Sequence, residues 1–231
     1  MKIAILSWGS LIKTGKSRNL AITGDFIGGG PTLPIEFSRV SQSGDRAGCL
    51  TLVIDEINGV NVPTQYAISA HQHLDWALAN LRFVENISLK YSVGYVNLVS
   101  GTERGWAREN HPRSVDLITA WARRMNFDAV IWTSLLSNFE KVLATPFTVA
   151  NAVSYVNNLP APVKEKAMDY IKDAPAEIIT PVRCVLSGTI ILNPPPVEQP
   201  IECLHEGEET LMRFLQRFHR PRQATHTSAA R

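Results

Sequence analysis

The residue best placed for acid–base chemistry is Glu85. Apolar residues recur at Leu74, Ala77, Leu78, Leu81 and Val84, the period of a helix with one buried face. At ~100° per residue, the step from Leu74 to Glu85 brings the carboxylate back to within about 20° of Leu74. Glu85 therefore points with the apolar stripe, at the end of the last turn. Lost hydration and the negative end of the helix dipole both raise the pKa of a carboxyl in that position, which suits it to take and return a proton near neutrality. Two structural alternatives exist: a frayed helix end that turns Glu85 to water, or an ion pair with Arg82 or Arg39.

A second feature is the run Leu6-Ser7-Trp8-Gly9-Ser10-Leu11. A glycine directly after a buried strand lets successive backbone N–H groups converge, which makes an anion nest; an ordinary turn is the alternative. Other candidates read as structural. Gly24-Asp25-Phe26-Ile27-Gly28-Gly29-Gly30 lacks the G-x-G-x-x-G spacing and the Lys-Ser/Thr ending of phosphate loops, and reads as a flexible loop. His71 and His73 lie two apart, ~200° around a helix, and read as surface histidines. Cys49 sits among apolar neighbours as a core thiol. Three cysteines, Cys49, Cys184 and Cys203, are too few and too far apart for a disulfide framework or zinc cluster. Nothing in the residue pattern calls for a metal or cofactor.

These residues need elements to hold them. Lys2 to Trp8 reads as a buried strand, followed by a Gly-rich polar loop to Pro31. Pro34 to Val40 and Gly48 to Asp55 read as strands joined by Ser41-Gln42-Ser43-Gly44-Asp45, and Asn58-Gly59 as a hairpin turn into a strand from Val62 to Ile68. Ser69 and Gln72 form a capping box for the helix that ends at Glu85. Tyr95 to Ser100 and Ala129 to Leu135 are further strands. Ser114 caps a helix with the stripe Val115, Ile118, Trp121, Ala122 and Met125. Thr148 opens a third helix that Pro160 ends, and Pro162 sits where a fourth begins. Arg183 to Leu192 reads as a last strand, closed off by Pro194-Pro195-Pro196. The order lacks the βαβ rhythm of a parallel sheet, so the expected class is α+β.

With 231 residues, 45% hydrophobic and 19% charged, the chain can bury a sizeable core. A net charge of +2 gives no basis for broad binding to nucleic acid or anionic membrane. No apolar run approaches the ~18 residues of a bilayer span, and Met1 to Leu6 lacks the form of a signal peptide. A cytoplasmic protein is expected. Charges are segregated at the end of the chain: those from Glu198 to Glu209 are acidic and those from Arg213 to Arg231 basic. Leu211, Phe214, Leu215 and Phe218 share a stripe on an expected short helix, and the last residues are expected to be disordered.

Taken together, Trp8-Gly9-Ser10-Leu11 and Leu81-Arg82-Phe83-Val84-Glu85 resemble the γ-glutamylcyclotransferase-like superfamily. Its members carry Tyr-Gly-Ser, then Leu, after the first strand, and a catalytic Glu at a helix end, commonly followed by Gly. Order and spacing match over Met1 to Tyr95. The resemblance implies a small mixed β-barrel with flanking helices over residues 1–193, with 101–181 as an inserted or divergent segment. It implies cleavage of a γ-glutamyl peptide or amine to 5-oxoproline without a cofactor. Glu85 would be the catalytic base and acid, and Trp8, Gly9, Ser10, Leu11 and Tyr91 would contact substrate. The sequence departs from the family at Trp8, which lacks the Tyr hydroxyl, and at Asn86, which replaces Gly. A non-catalytic ligand-binding module or an interaction protein acting through its charged tail are the alternatives. Deleting residues 194–231 is expected to leave a folded domain whose thermal unfolding changes little; a large fall in Tm would show that the Leu211-Phe214-Leu215-Phe218 stripe docks on the core.

Overall fold

The computed structural model describes residues 1–13, 19–87, 92–103, 105–188, 190–191 and 203–204. The chain opens with strand β1 (Ile3–Ser7), a short helix α1 (Ser10–Lys13), strands β2 (Ile22–Ile27), β3 (Leu33–Val40), β4 (Leu50–Ile54), β5 (Val60–Val62) and β6 (Gln65–Ser69), and helix α2 (Leu74–Val84). Strands β7 (Val93–Asn97) and β8 (Thr102–Glu103) follow, then helices α3 (Gly105–Asn110) and α4 (Pro112–Arg124) and strand β9 (Ala129–Thr133). Helices α5 (Phe139–Leu143), α6 (Val149–Asn157), α7 (Ala161–Asp173) and α8 (Pro181–Leu186) lead to the short strands β10 (Ile190–Ile191) and β11 (Cys203–Leu204). The class is α+β. No described helix is long and apolar enough to cross a membrane.

Six strands form one mixed sheet in the order β2-β6-β1-β9-β7-β8, and three form a second in the order β4-β3-β5. Strand β1 is antiparallel to β6 and parallel to β9, and β9 is antiparallel to β7. No closed barrel is found among the described residues. Closure would need the edge strands to pair, and β2 and β8 of the larger sheet and β4 and β5 of the smaller one pair with no strand of the other sheet among the described residues.

Side-chain alternation divides the core into two layers. Ile3 and Ile5 of β1 pack with Ala129 and Ile131 of β9 against Ala77, Leu78 and Leu81 of α2. Ala4 and Leu6, with Val130 and Trp132, face the second sheet and the helices beyond α2, including Trp121 of α4. Gly94 on β7 is paired with Trp132, and an added Cβ there would stand 2.7 Å from the indole; the ring occupies the space that a side chain would need.

Several sequence expectations change. Asn58-Gly59 does not join two paired strands: β4 and β5 lie on opposite edges of β3. The chain crosses over β3 there, with Gly59 so close that a Cβ would meet the Asp55 and Pro34 backbone at 2.5 and 2.7 Å. The expected strand from Val62 to Ile68 is two strands in different sheets, parted at Pro63, which has no N–H to donate. Ser69 ends β6 and accepts from His71 N rather than capping α2, whose N-cap is His73. Helix α4 starts earlier than expected, at Pro112, and the Glu56 carboxylate accepts from Ser114 N at 2.6 Å. The glycine-rich loop contains strand β2, irregular between Thr23 and Ile27. Residues 208–218, the expected terminal helix, lie outside the described residues, as do 220–231, the expected disordered end.

The largest departure is Arg183 to Leu192, expected as a strand. Its first part is helix α8: Thr180 accepts from Arg183 N as N-cap, Pro181 occupies the first turn, and the Arg183 guanidinium donates to the Lys172, Ala174, Pro175 and Ile178 carbonyls. These capping contacts outweigh the β-branched composition. The helix start is held by Glu36, a fully buried carboxyl on β3 that accepts from Phe37 N at 2.7 Å and from Val182 N at 3.4 Å.

Burial raises the Glu36 carboxyl from 4.5 to about 7, against lowering hydrogen bonds from Thr180, Phe37 and Val182. The unfolded chain thus loses this proton at lower pH than the folded chain, and stability falls as pH rises from 4.5 to about 7. The loss is about 3 kcal/mol. Glu36→Gln is expected to flatten this part of the pH profile in denaturant unfolding measured from about pH 5 to about pH 8; an unchanged slope would assign the titration to another group.

Candidate active-site cleft

The topology brings distant segments to one end of the six-stranded sheet. Strands β1 and β9 are parallel, so Ser7 and Thr133 finish at the same end, and Val93 of the antiparallel β7 starts there, opposite Thr133. Strand β6 runs the other way and delivers the chain to the far end of β1, where Ile68 pairs with Ala4. Helix α2 then returns along the sheet. Its 11 residues span about 16 Å, close to the ~17 Å of the five residues of β1. The residue that follows α2 is Glu85, so it arrives beside the end of β1.

A cleft of about 760 Å³ lies at this end, lined by residues that include Ser7, Trp8, Gly9, Ser10 and Leu11 on one side and Val84, Glu85, Asn86 and Ile87 on another. All of the described residues predicted from sequence to form a site therefore border one cavity. Trp8 and Leu11 are also buried in the core, and Glu85 is half-buried. Tyr91 lies outside the described residues. His71 and His73 stand apart from the cleft, their rings against Trp76. Cys49 is buried, and that burial pushes its thiol pKa up.

The end of α2 is closed rather than frayed. Asn86 N donates to Phe83 O at 3.1 Å and Ile87 N to Arg82 O at 2.9 Å, and Asn86 has φ +52°. This is a Schellman arrangement, in which the residue after the C-cap must adopt the left-handed conformation. Asparagine tolerates that conformation better than other residues with a side chain, so Asn86 closes the helix without a glycine. The cap holds Glu85 at the cleft.

Further lining comes from the β3–β4 hairpin and from α7; of these residues the sequence pointed only to Arg39, as a possible ion-pair partner of Glu85. The register shifts between Phe37 and Arg39, a bulge that bends the strand and re-aims its side chains. Arg39, Thr51, Leu52 and Arg46, the last in a 3-10 turn over Gly44–Arg46, line the cleft with Tyr170 of α7. The Tyr170 hydroxyl lies against Gly9, 3.3 Å from where a Cβ would stand. Burial pushes its pKa up, against the Arg46 charge and hydrogen bonds from Leu52 and Arg46, while Glu85 adds to the upward push. The helical stripe of α7 in the sequence places Tyr170 near Ala167 and Ile171, but nothing in it points to Gly9.

Comparison with protein-family models, curated proteins and solved structures found no match to this chain.

The contact between Gly9 and Tyr170 is testable by a double-mutant cycle. Gly9→Ala is expected to destabilise by about 1 kcal/mol through crowding of the hydroxyl and of Leu52, and Tyr170→Phe by about 1 kcal/mol through lost hydrogen bonds. In the double variant the oxygen that crowds the methyl added at position 9 is gone, so the combined cost is expected to fall short of the sum by roughly 0.5–1 kcal/mol. Denaturant unfolding measures all four proteins, and strict additivity would show that the two residues do not press on each other.

Proposed function

We propose that the cleft is the active site of a γ-glutamylcyclotransferase-like enzyme that releases 5-oxoproline from a γ-glutamyl amide. The observation that supports this most strongly is the convergence of two segments far apart in sequence, Trp8 to Leu11 and Glu85, on one cavity. They are the two motifs on which the resemblance rests.

In this reading the substrate's own α-amine attacks its γ-carbonyl carbon. A C–N bond forms, a five-membered ring closes, and the bond to the leaving amine breaks. Nucleophile and electrophile belong to one molecule, so orientation supplies much of the rate and the protein needs few groups. Glu85 takes the proton that the attacking nitrogen loses and returns it to the departing nitrogen. The Gly9–Leu11 turn offers backbone donors to the substrate carboxylate or to the developing oxyanion. The capped end of α2 keeps Glu85 in place through both transfers.

The test is incubation with a panel of γ-glutamyl peptides and amines and assay of 5-oxoproline. Release by the wild type is expected, with Glu85→Gln slower by roughly 10²–10⁴-fold and little changed in folding. Release from none of the panel would favour a non-catalytic binding module. Wild-type turnover in the Gln variant would remove Glu85 from the mechanism.

A further inference from the structure

Helix α2 buries Ala77, Leu78 and Leu81 against the sheet and carries two large aromatic side chains on its outer face. Trp76 is 64% exposed and Phe83 78% exposed, and no other aromatic side chain among the described residues is exposed. They stand seven residues apart, so they share a stripe to within ~20° and lie about 10 Å apart along the axis. Ala79, also exposed, falls between them, ~60° to one side. Single apolar residues on a surface are ordinary, but aromatics aligned on one helix form a patch that marks an interaction site. The His71 and His73 rings rest against the Trp76 indole, with centroids 6.1 and 5.5 Å away. An indole already held by its neighbours loses less freedom when a partner docks on it.

The pattern is complementary to itself. About a two-fold axis between Ala79 and Asn80, two antiparallel copies of α2 set each Trp76 beside the Phe83 of the other copy. The small Ala79 then sits at the crossing and lets the backbones approach. Asp75 and Arg82 lie on one flank of the stripe, ~20° apart around the helix. Antiparallel pairing meets that flank with itself in reverse order, so each Asp75 comes near the Arg82 of the other copy; parallel pairing would set like charges together. With ~150–250 Å² for a fully buried aromatic side chain, Trp76 and Phe83 supply roughly a third of the ~800 Å² per partner of a standard interface. Exposed Gln72, His73, Asp75 and Asn86 form a polar rim around them. We propose that the outer face of α2 is a homodimer interface, in which two copies of this chain pair antiparallel through Trp76, Ala79 and Phe83. The pairing does not depend on the activity read for the cleft, but Phe83 stands two residues before Glu85, so the same contact braces the helix end at the cleft.

The test is sedimentation equilibrium from ~1 to ~200 μM, since interfaces of standard size bind in the micromolar range or tighter. The wild type is expected to be dimeric at the upper end. W76Q/F83Q is expected to raise the dissociation constant at least ~100-fold, as for two central aromatic anchors, with thermal unfolding checking that it is folded. A79E, which crowds the crossing, is a second disruption and is expected to act in the same direction. V99Q, at an exposed site on another segment, is expected to keep the dimer. Cys49 and Cys184 are buried, so in a C203S background A79C is expected to form an intermolecular disulfide under mild oxidation, and V99C is not. A wild type that stays monomeric overturns the proposal, as does a dimer that survives both W76Q/F83Q and A79E. Cross-linking of A79C no faster than of V99C overturns the antiparallel crossing. In a monomeric wild type, lower thermal stability of W76Q/F83Q would give the face to another segment of this chain. Binding of that monomer to phosphatidylcholine–phosphatidylglycerol vesicles, lost in the variant, would give it to lipid.

Discussion

Strand β1 has no free edge, and the geometry of the cleft follows from that. With β6 on one side and β9 on the other, its backbone groups are committed along its length and its side chains are buried on both faces. A one-residue slip would exchange Ile3 and Ile5 with Ala4 and Leu6 between two packed layers, leaving each with side chains of the wrong size and shape. Its end is therefore a fixed point, and the chain leaves the sheet at Trp8 and Gly9. Because α2 lies on the same sheet and matches β1 in length, the fixed end of β1 also determines where Glu85 stands. A helix shorter or longer by one turn would move that carboxylate by about 5 Å.

The second half of the chain is part of this core. Strand β9 lies between β1 and β7, so its removal would leave two strands with unpaired edges. The helices that follow build a wall. Tyr170 comes from α7, whose last carbonyls are gathered by Arg183 of α8, and α8 in turn is tied to β3 through Glu36. Glu36 sits three residues before Arg39 on the same strand. A buried carboxyl thus links the packing of α8 to the strand that carries a cleft arginine, and the chain crossing at Gly59 keeps β5 and β4 on opposite edges of that strand.

The cleft is mixed in charge: Arg39, Arg46, Glu85 and Asp45 all line it, together with hydroxyl residues such as Ser7, Thr51 and Thr133. This arrangement suits a ligand that carries both signs. It also explains the place of the hairpin turn at the rim: residues 41–46 are mostly exposed, so they can supply charge without the desolvation that the interior would impose.

The sequence by itself determined what depends on neighbours along the chain. The apolar period through Leu81 marked the buried face of α2, which ends in the half-buried C-cap Glu85, Thr148 and Pro160 marked the limits of α6, and the strand into Trp8-Gly9 was clear because both its faces are apolar. Signals of this kind act within one or two turns of backbone. Pairing was beyond its reach. Asn58-Gly59 has hairpin chemistry, but whether β4 meets β5 depended on β3 already lying between them. Arg183 to Leu186 has strand composition, but four carbonyls and a buried Glu36 made it a helix. Tyr170 and Arg46 carry no local sign of a site, since their meaning comes from contact with Gly9 and with each other. Tertiary structure alone decided these points, because a side chain's partner across the fold is set by which sheet edges are already occupied, and that information is not local to any segment.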